Sequence, residues 1–366
     1  MTKQKIKDLF KFLPKAKHKA GEGLEEGTYP FYTSSAVVNK YFDEYDYEPD
    51  KLIFATGGSA SVHYANSRFA VSTDNFILEP NADVNAKYVY YYLKNNIQIL
   101  QDGFHGAGLQ HLSKDYLNEV SVPMLDNASQ DKVVSILDKA DEIRAKKKLA
   151  NDKLDEFLKS TFISMFGDPV RNEKNLPLVK FSDMGTLARG KSKHRPRNAP
   201  ELLGGKYPLI QTGDVANAGL YLRKYTQTYS ELGLKQSKMW EAGTLCITIA
   251  ANIAKTAIMT FDACFPDSVV GFINNEKCNI QYIQFWLMFL QSVLEAEAPQ
   301  SAQKNINLEI LNGLSLPYPP IEDQNKFAHI VEHVEAQKQK NEFVIEQMNN
   351  LFNSLSQRAF KGEPLK

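Results

Sequence analysis

Two stretches of the chain carry a stripe of residues at intervals of three and four. Val133, Leu137, Ala140, Lys147, Ala150, Leu154 and Thr161 form the first stripe, and Phe327, Val331, Val334, Asn341, Val344, Met348 and Leu355 the second. That spacing lines up side chains on one face of an α-helix and predicts a coiled-coil seam. Neither Pro nor Gly interrupts residues 128–166 or 322–360, so each helix can run about 37 residues, roughly 55 Å at 1.5 Å per residue. Such a helix needs a partner for its apolar face, and the polar seam positions Lys147 and Asn341 would fix the register at some cost in stability.

The sequence also repeats itself, which decides its organisation. Leu112–Pro123 aligns with Ile306–Pro317 at an offset of 194, the difference between 317 and 123. At that offset Gln130 meets Gln324, Val133 meets Phe327, Leu137 meets Val331, Ala140 meets Val334, Leu154 meets Met348 and Phe166 meets Phe360. Looser matches lie upstream: Tyr29–Ser34 with Tyr207–Thr212, Leu52–Thr56 with Leu245–Ile249, and Lys87–Leu100 with Tyr282–Leu294. Each half therefore reads as a variable globular unit followed by a long helix: 1–125 and 126–168, then 169–320 and 321–366. The repeat favours pairing the two helices within one chain, antiparallel, with the globular units at opposite ends; the heptads alone also allow a homodimeric coiled coil.

Within the globular units, Lys51–Ala55, Phe69–Ile77, Thr244–Ala250 and Thr256–Phe261 are β-branched or apolar runs bounded by Gly, Asn and Asp, and predict strands. Tyr88–Leu100 and Tyr282–Leu294 are apolar almost all round and predict short helices packed on those strands. The fold class expected is α+β: two globular domains of mixed sheet and small helices, joined to two long antiparallel helices.

Composition adds limits. With 366 residues and 43% apolar content the chain can build two or three cored domains. It holds no apolar run long enough for a membrane span and no secretory leader pattern, so a cytoplasmic protein without a membrane partner is expected. Cys246, Cys264 and Cys278 lack C-x-x-C spacing and read as reduced, buried or half-buried thiols. The net charge is zero, yet unevenly spread. Residues 1–20 hold Lys3, Lys5, Lys7, Lys11, Lys15, Lys17 and Lys19 against Asp8, and residues 184–200 hold Arg189, Lys191, Lys193, Arg195 and Arg197 with no acid. Two basic clusters of this kind suit nucleic-acid phosphates.

Catalytic and metal motifs are few. Gly185–Ser192 matches G-x-x-x-x-G-K-[ST], and Ile258–Asp262 is like the acidic strand of a nucleotide-binding fold. A phosphate-binding loop must open a helix, however, and Pro196 and Pro200 follow this one. The segment reads better as a basic loop for DNA phosphates and guanines. His329 and His333 have an i, i+4 spacing that can bind metal, but the Glu of H-E-x-x-H and a third ligand are lacking. No G-x-S-x-G elbow is present, and Pro317-Tyr-Pro-Pro320, which hints at an amino-methyltransferase motif, aligns with Pro123-Met-Leu-Asp126 as a lead-in to a helix. No catalytic or metal-binding residue is expected.

The arrangement of two variable units, each followed by a long helix, resembles the specificity subunits of type I restriction–modification enzymes over essentially the whole chain. Tyr29–Ser35, Gly57–Tyr64 and Val71–Asn75 in the first unit are similar to recurrent elements of that family's recognition domains, as are Gly205–Val215, Gln227–Leu234 and Cys264–Phe272 in the second. The helix exits Ser164–Pro169 and Leu355–Glu363 are similar to the family's helix-end motifs. The resemblance implies a subunit without cofactor of its own, bound to double-stranded DNA and to two adenine-N6 methyltransferase subunits that use S-adenosylmethionine. Restriction/translocase subunits, if they join, would use ATP and Mg. Two different units imply an asymmetric bipartite target, with half-sites about one turn (roughly 34 Å) apart if the helix pair spaces them by about 50 Å. Expected DNA contacts are Lys15, Lys17, His18, Tyr32, Thr33, Ser34, Gly58, Ser59 and His63 in the first unit. In the second they are Lys191, Lys193, His194, Arg195, Arg197, Gln211, Thr212, Asn252 and Lys255.

Overall fold

A computed structural model describes residues 2–106, 108, 110–250, 253–297 and 306–361. Four helices carry the architecture: α1 (Ala86–Asn95), α2 (Asn127–Phe166), α3 (Ile280–Glu297) and α4 (Ile321–Phe360). Both long helices reach 40 residues, starting one residue before the Pro- and Gly-free spans 128–166 and 322–360 and ending with them at Phe166 and Phe360. The fold divides into two compact units: Met1–Leu149 with Asn341–Lys366, and Ala150–Lys340. Each unit thus owns a globular domain, half of α2 and half of α4.

In the first unit a four-stranded sheet places Phe10–Phe12, Asn75–Pro80, Lys51–Ala55 and Val62–Ala65 side by side, and a three-stranded sheet pairs Lys40–Phe42, Tyr29–Tyr32 and Ala70–Val71. The predicted strand Phe69–Ile77 is two strands. Ser72–Asp74 break it where Asn75 turns inward, its amide donating to Ser72 Oγ at 3.0 Å. The predicted helix Tyr88–Leu100 is likewise split, into α1 and the short Gln98–Gln101, with Asn96 as the cap of α1. Phe54, Tyr88, Tyr91 and Leu93 close the core against Val133, Leu137 and Ala140 of α2 and Phe352 and Ala359 of α4. The two helices run antiparallel here: Arg144 donates to Asn349 at 2.8 Å and Lys147 to Asn341 at 3.1 Å.

The second unit has a five-stranded sheet in the order Gly185–Arg189, Val269–Asn274, Leu245–Thr248, Thr256–Met259, Tyr221–Leu222, beside a four-stranded sheet around Leu203–Leu209. Phe162 of α2 is fully buried and stacks on Tyr282, Phe285 and Phe289 of α3, with Phe327 of α4 edge-on at 5.4 Å. Antiparallel packing recurs here, with Lys338 of α4 donating to Asp155 of α2 at 2.6 Å.

The repeat survives in side-chain detail. Tyr88 donates its hydroxyl to the Pro123 carbonyl at 2.7 Å, and its equivalent Tyr282 to the Pro317 carbonyl at 2.5 Å. Gln130 donates to the Leu125 carbonyl and Gln324 to the Pro319 carbonyl, at 2.8 and 2.9 Å. Ser113 and Asn307 both cap the short helix that precedes these contacts. Of the predicted seam residues, Val133, Leu137, Ala140, Val331 and Val334 are buried, while Leu154, Val344, Met348 and Leu355 are half-buried. The three cysteines are free and buried; burial pushes the Cys278 thiol up to about 12 and that of Cys246 further.

Candidate nucleic-acid interface

In the first unit the expected contacts separate into two places. Lys15 and Lys17 are exposed, but His18 is engaged, with Nε2 3.2 Å from Asp46, Nδ1 3.4 Å from Glu22 and its ring over Phe42 at 4.4 Å. The Glu22 and Asp46 carboxylates beside it make the His18 ring itself a poor phosphate contact.

Thr33, Ser34 and His63 gather instead on a polar loop. Thr33 Oγ1 accepts from the Ser35 amide at 3.3 Å, Ser34 Oγ donates to the Asp74 carbonyl at 3.1 Å, and His63 Nε2 donates to the Ser35 carbonyl at 2.9 Å. Burial holds the His63 imidazole below its ordinary pKa, partly offset by the Ser35 carbonyl. Gly58 and Ser59 lie on the exposed turn joining Lys51–Ala55 to Val62–Ala65, the strand that bears His63; Gly58 adopts φ +80°, with open space where a side chain would stand. Tyr32 departs from the expectation of a surface contact. Its side chain is buried edge-on against Phe69, and burial pushes its hydroxyl up to about 12.

In the second unit the basic loop after Gly185–Arg189 is tied down by residues that the sequence alone did not single out. Gln236 Oε1 accepts from the Lys193 and His194 amides at 2.6 and 3.0 Å, and Ser237 donates to the Lys191 carbonyl at 2.8 Å. Arg195 Nη1 donates to the carbonyls of Ser192 and His194 at 2.6 and 2.8 Å. Arg197 donates to the Asp267 carboxylate, whose backbone carbonyl accepts from Arg189 Nε at 3.0 Å. Lys191 and Lys193 point their ammonium groups outward as exposed side chains. Nothing in their sequence neighbourhood marks Gln236 or Asp267, because both arrive from elements 40 to 80 residues away.

Gln211 and Thr212 begin the short helix Thr212–Asn217. Gln211 forms a capping box with Asp214, and its Nε2 donates to Gln227 Oε1 at 3.2 Å. Lys255 lies apart from the loop, donating to Gln291 at 3.2 Å beside a cavity of about 250 Å³ lined also by Lys159 and Lys338. Asn252 falls outside the described residues.

The local match to a phosphate loop does not fold as one. Gly185–Arg189 is a strand, and the amides of Gly190 and Lys191 are spent on the carbonyls of Val269 and Phe265. No phosphate-facing helix N-terminus follows, only the 3-10 turn Pro200–Leu202. Asp262 accepts from the Ala242 amide at 2.8 Å, capping a turn. His333 lies on the His329 carbonyl at 2.7 Å and His329 beside Glu332; among the described residues no cluster of metal-ligating side chains occurs. None of their helices is long and apolar enough to cross a membrane.

A paired scaffold with a polar or basic loop in each unit defines a two-domain recognition protein. The family model of the type I restriction modification DNA specificity domain matches residues 1–153 and again 174–347, so the chain belongs to that family. It is 22% identical to the type I restriction enzyme EcoDI specificity subunit of Escherichia coli, covering 92% of this chain and 83% of the relative. It is 21% identical to the MjaVIII specificity subunit of Methanocaldococcus jannaschii, covering 85% and 80%. The fold is shared with the crystal structure of a type I restriction–modification S subunit from M. genitalium, at TM-score 0.69 and 15% identity over 100% of this chain and 96% of that one. A chain from a structural study of type I restriction–modification complex assembly and conformational transition matches at TM-score 0.52 and 15% identity over 99% and 98%.

Proposed function

We propose that this chain is the non-catalytic subunit that selects the DNA sequence for a type I restriction–modification complex, reading an asymmetric bipartite target and positioning two adenine-N6 methyltransferase subunits on it. The observation that carries this is one scaffold used twice with different loops. The Tyr88–Pro123 and Tyr282–Pro317 contacts are the same, whereas one unit offers Thr33, Ser34, Ser59 and His63 and the other Lys191, Lys193, His194, Arg197, Gln211 and Thr212. Hydroxyl and imidazole groups against arginine and amide groups read different base edges, so the two half-sites differ. Lys15, Lys17, Lys191 and Lys193 attract phosphates.

The recognition domains are residues 1–125 and 169–320, and the helical segments 126–168 and 321–366. S-adenosylmethionine, and ATP and Mg where a restriction/translocase subunit joins, are bound by the partners. Adenine must leave the duplex to be methylated, and its pocket belongs to the methyltransferase. The complex works in the cytoplasm, where DNA is met.

The test is to express the chain with its methyltransferase and map adenine methylation, with and without exchange of residues 1–125 for those of another family member. A gapped asymmetric motif in which one half changes on exchange is expected. No motif, or one indifferent to the exchange, would overturn the reading.

A further inference from the structure

We propose that Arg197 is the guanine-reading residue of the second unit and that Asp267 is its positioning residue, whereas Arg195 beside it only shapes the loop. The inference rests on the DNA-recognition reading above and assigns a base class within that site.

Anchoring separates the two arginines. A guanidinium has five N–H donors. Arg195 spends both Nη1 hydrogens on the Ser192 and His194 carbonyls, and its Nη2 lies 3.8 Å from Asp267. It is a staple that holds the turn Ser192–Arg195 in shape, its orientation set by the two carbonyls of that turn. Arg197 commits one donor, to Asp267 Oδ1, and makes no other hydrogen bond, so four of its five remain. Its side chain is 44% exposed, so the free edge is open to solvent.

The carboxylate decides what that edge can take. Asp267 faces both Arg197 and Arg195, and its half-exposed carboxylate disfavours a phosphate approaching beside it. A neutral ligand with two acceptors in one plane meets no such repulsion, and the N7 and O6 of guanine in the major groove are that ligand. Asp267 also removes the rotamer freedom that a long side chain would otherwise lose on binding. Its own position is fixed through the backbone, where the Asp267 carbonyl accepts from Arg189 Nε at 3.0 Å in the edge strand. Lys191 and Lys193, which face no carboxylate in this loop, remain the phosphate anchors.

The experiment uses the chain in complex with its methyltransferase. Methylation and binding are measured on synthetic duplexes carrying the mapped target, each base of the half-site read by the second unit being replaced in turn, and each guanine also by 7-deazaguanine, which lacks the N7 acceptor. One guanine whose replacement by adenine or 7-deazaguanine lowers binding tenfold or more in the wild type is expected. R197A and R197K should both abolish preference at that position alone, R197K keeping the charge and the affinity for unrelated DNA. D267N should cut the same preference several-fold without weakening non-specific binding, and D267E should restore part of it. Thermal melts confirm that each variant is folded; R197K, the mildest change, carries the test if R197A is not. The inference is overturned if R197K and D267N keep the wild-type base preference, or if their affinity falls equally for every sequence, as a phosphate contact would give. A wild-type complex that yields no motif would remove the underlying reading and this inference with it, an outcome distinct from an unchanged motif in the variants.

Discussion

Lys147 donates to Asn341 Oδ1 at 3.1 Å across the helix pair, and the two residues stand 194 positions apart, the spacing of the repeat. Equivalent residues of two antiparallel helices face each other only at the midpoint of the pair. On either side the contacts come as equivalents too: Arg144 with Asn349, and Lys338 with Asp155, occupy the same positions of the repeat. Burial works against the Lys338 ammonium, but the hydrogen bond to Asp155 and the nearby Glu335 outweigh it and raise its pKa.

Asn341 is buried and Lys147 half-buried, so N341L alone should cost about 1–3 kcal/mol by stranding a polar partner. K147L/N341L together should recover part of that loss, since two apolar groups replace the Lys147–Asn341 pair. Urea unfolding of the three variants checks this; a double mutant as weak as the single would show that the polar pair is not the unit of stability.

Phe162 is the anchor of the second unit's core. F162A should destabilise that unit by about 3–5 kcal/mol, the usual range for a fully buried phenylalanine. Its equivalent in the repeat is Ser356, so the first unit has no matching ring to lose. Hydrogen exchange should report faster opening in residues 150–340 while the first unit's core keeps its protection.

His63 gives a pH dependence whose sign follows from burial. Its folded pKa is below the unfolded value of about 6.5, so the unfolded chain binds the proton more readily. Stability contributed by the neutral imidazole is present above about pH 6.5 and is lost as pH falls through the lower folded value. Thermal melts from pH 7.5 to 5 should show this decline, and H63Q should flatten it; an equal slope in the variant would assign the decline to other groups.

The long helices also keep apolar side chains on the outside, and again as equivalents: Leu149 with Phe343, and Phe157 with Leu351, between 42% and 60% exposed. Under the function proposed above, two copies of one methyltransferase subunit would dock on these equivalent positions. L149D/F343D should leave the chain's melting temperature within a few degrees of wild type yet abolish co-purification with the methyltransferase. Retained co-purification would place the docking surface elsewhere.

The long helices were legible because periodicity and the absence of Pro and Gly are local properties, and the pairing of halves because a repeat is visible as identity at a fixed offset. The strand edges were less so. Phe69–Ile77 reads as one β run, but the chain turns at Ser72–Asp74, where the Ser72 and Thr73 amides donate to the Tyr32 and His18 carbonyls at 2.8 Å, partners that only the packed domain supplies. Tyr32 differs for a similar reason: a tyrosine at a strand end beside polar Thr33 and Ser34 can equally be an anchor, and Phe69 makes it one.

The sequence by itself determined the two-fold repeat, the antiparallel-compatible helices and the location of the basic loop, since these depend on residue spacing and charge along the chain. Only the tertiary structure decided which groups of that loop are free to bind. Arg195 is tied through Nη1 to carbonyls of its own turn, Arg197 meets Asp267 from 70 residues away, and the amides of Gly190 and Lys191 are consumed by Val269 and Phe265 rather than offered to a phosphate. Whether a donor is available depends on the partner that folding brings to it, and that partner is not written beside it in the chain.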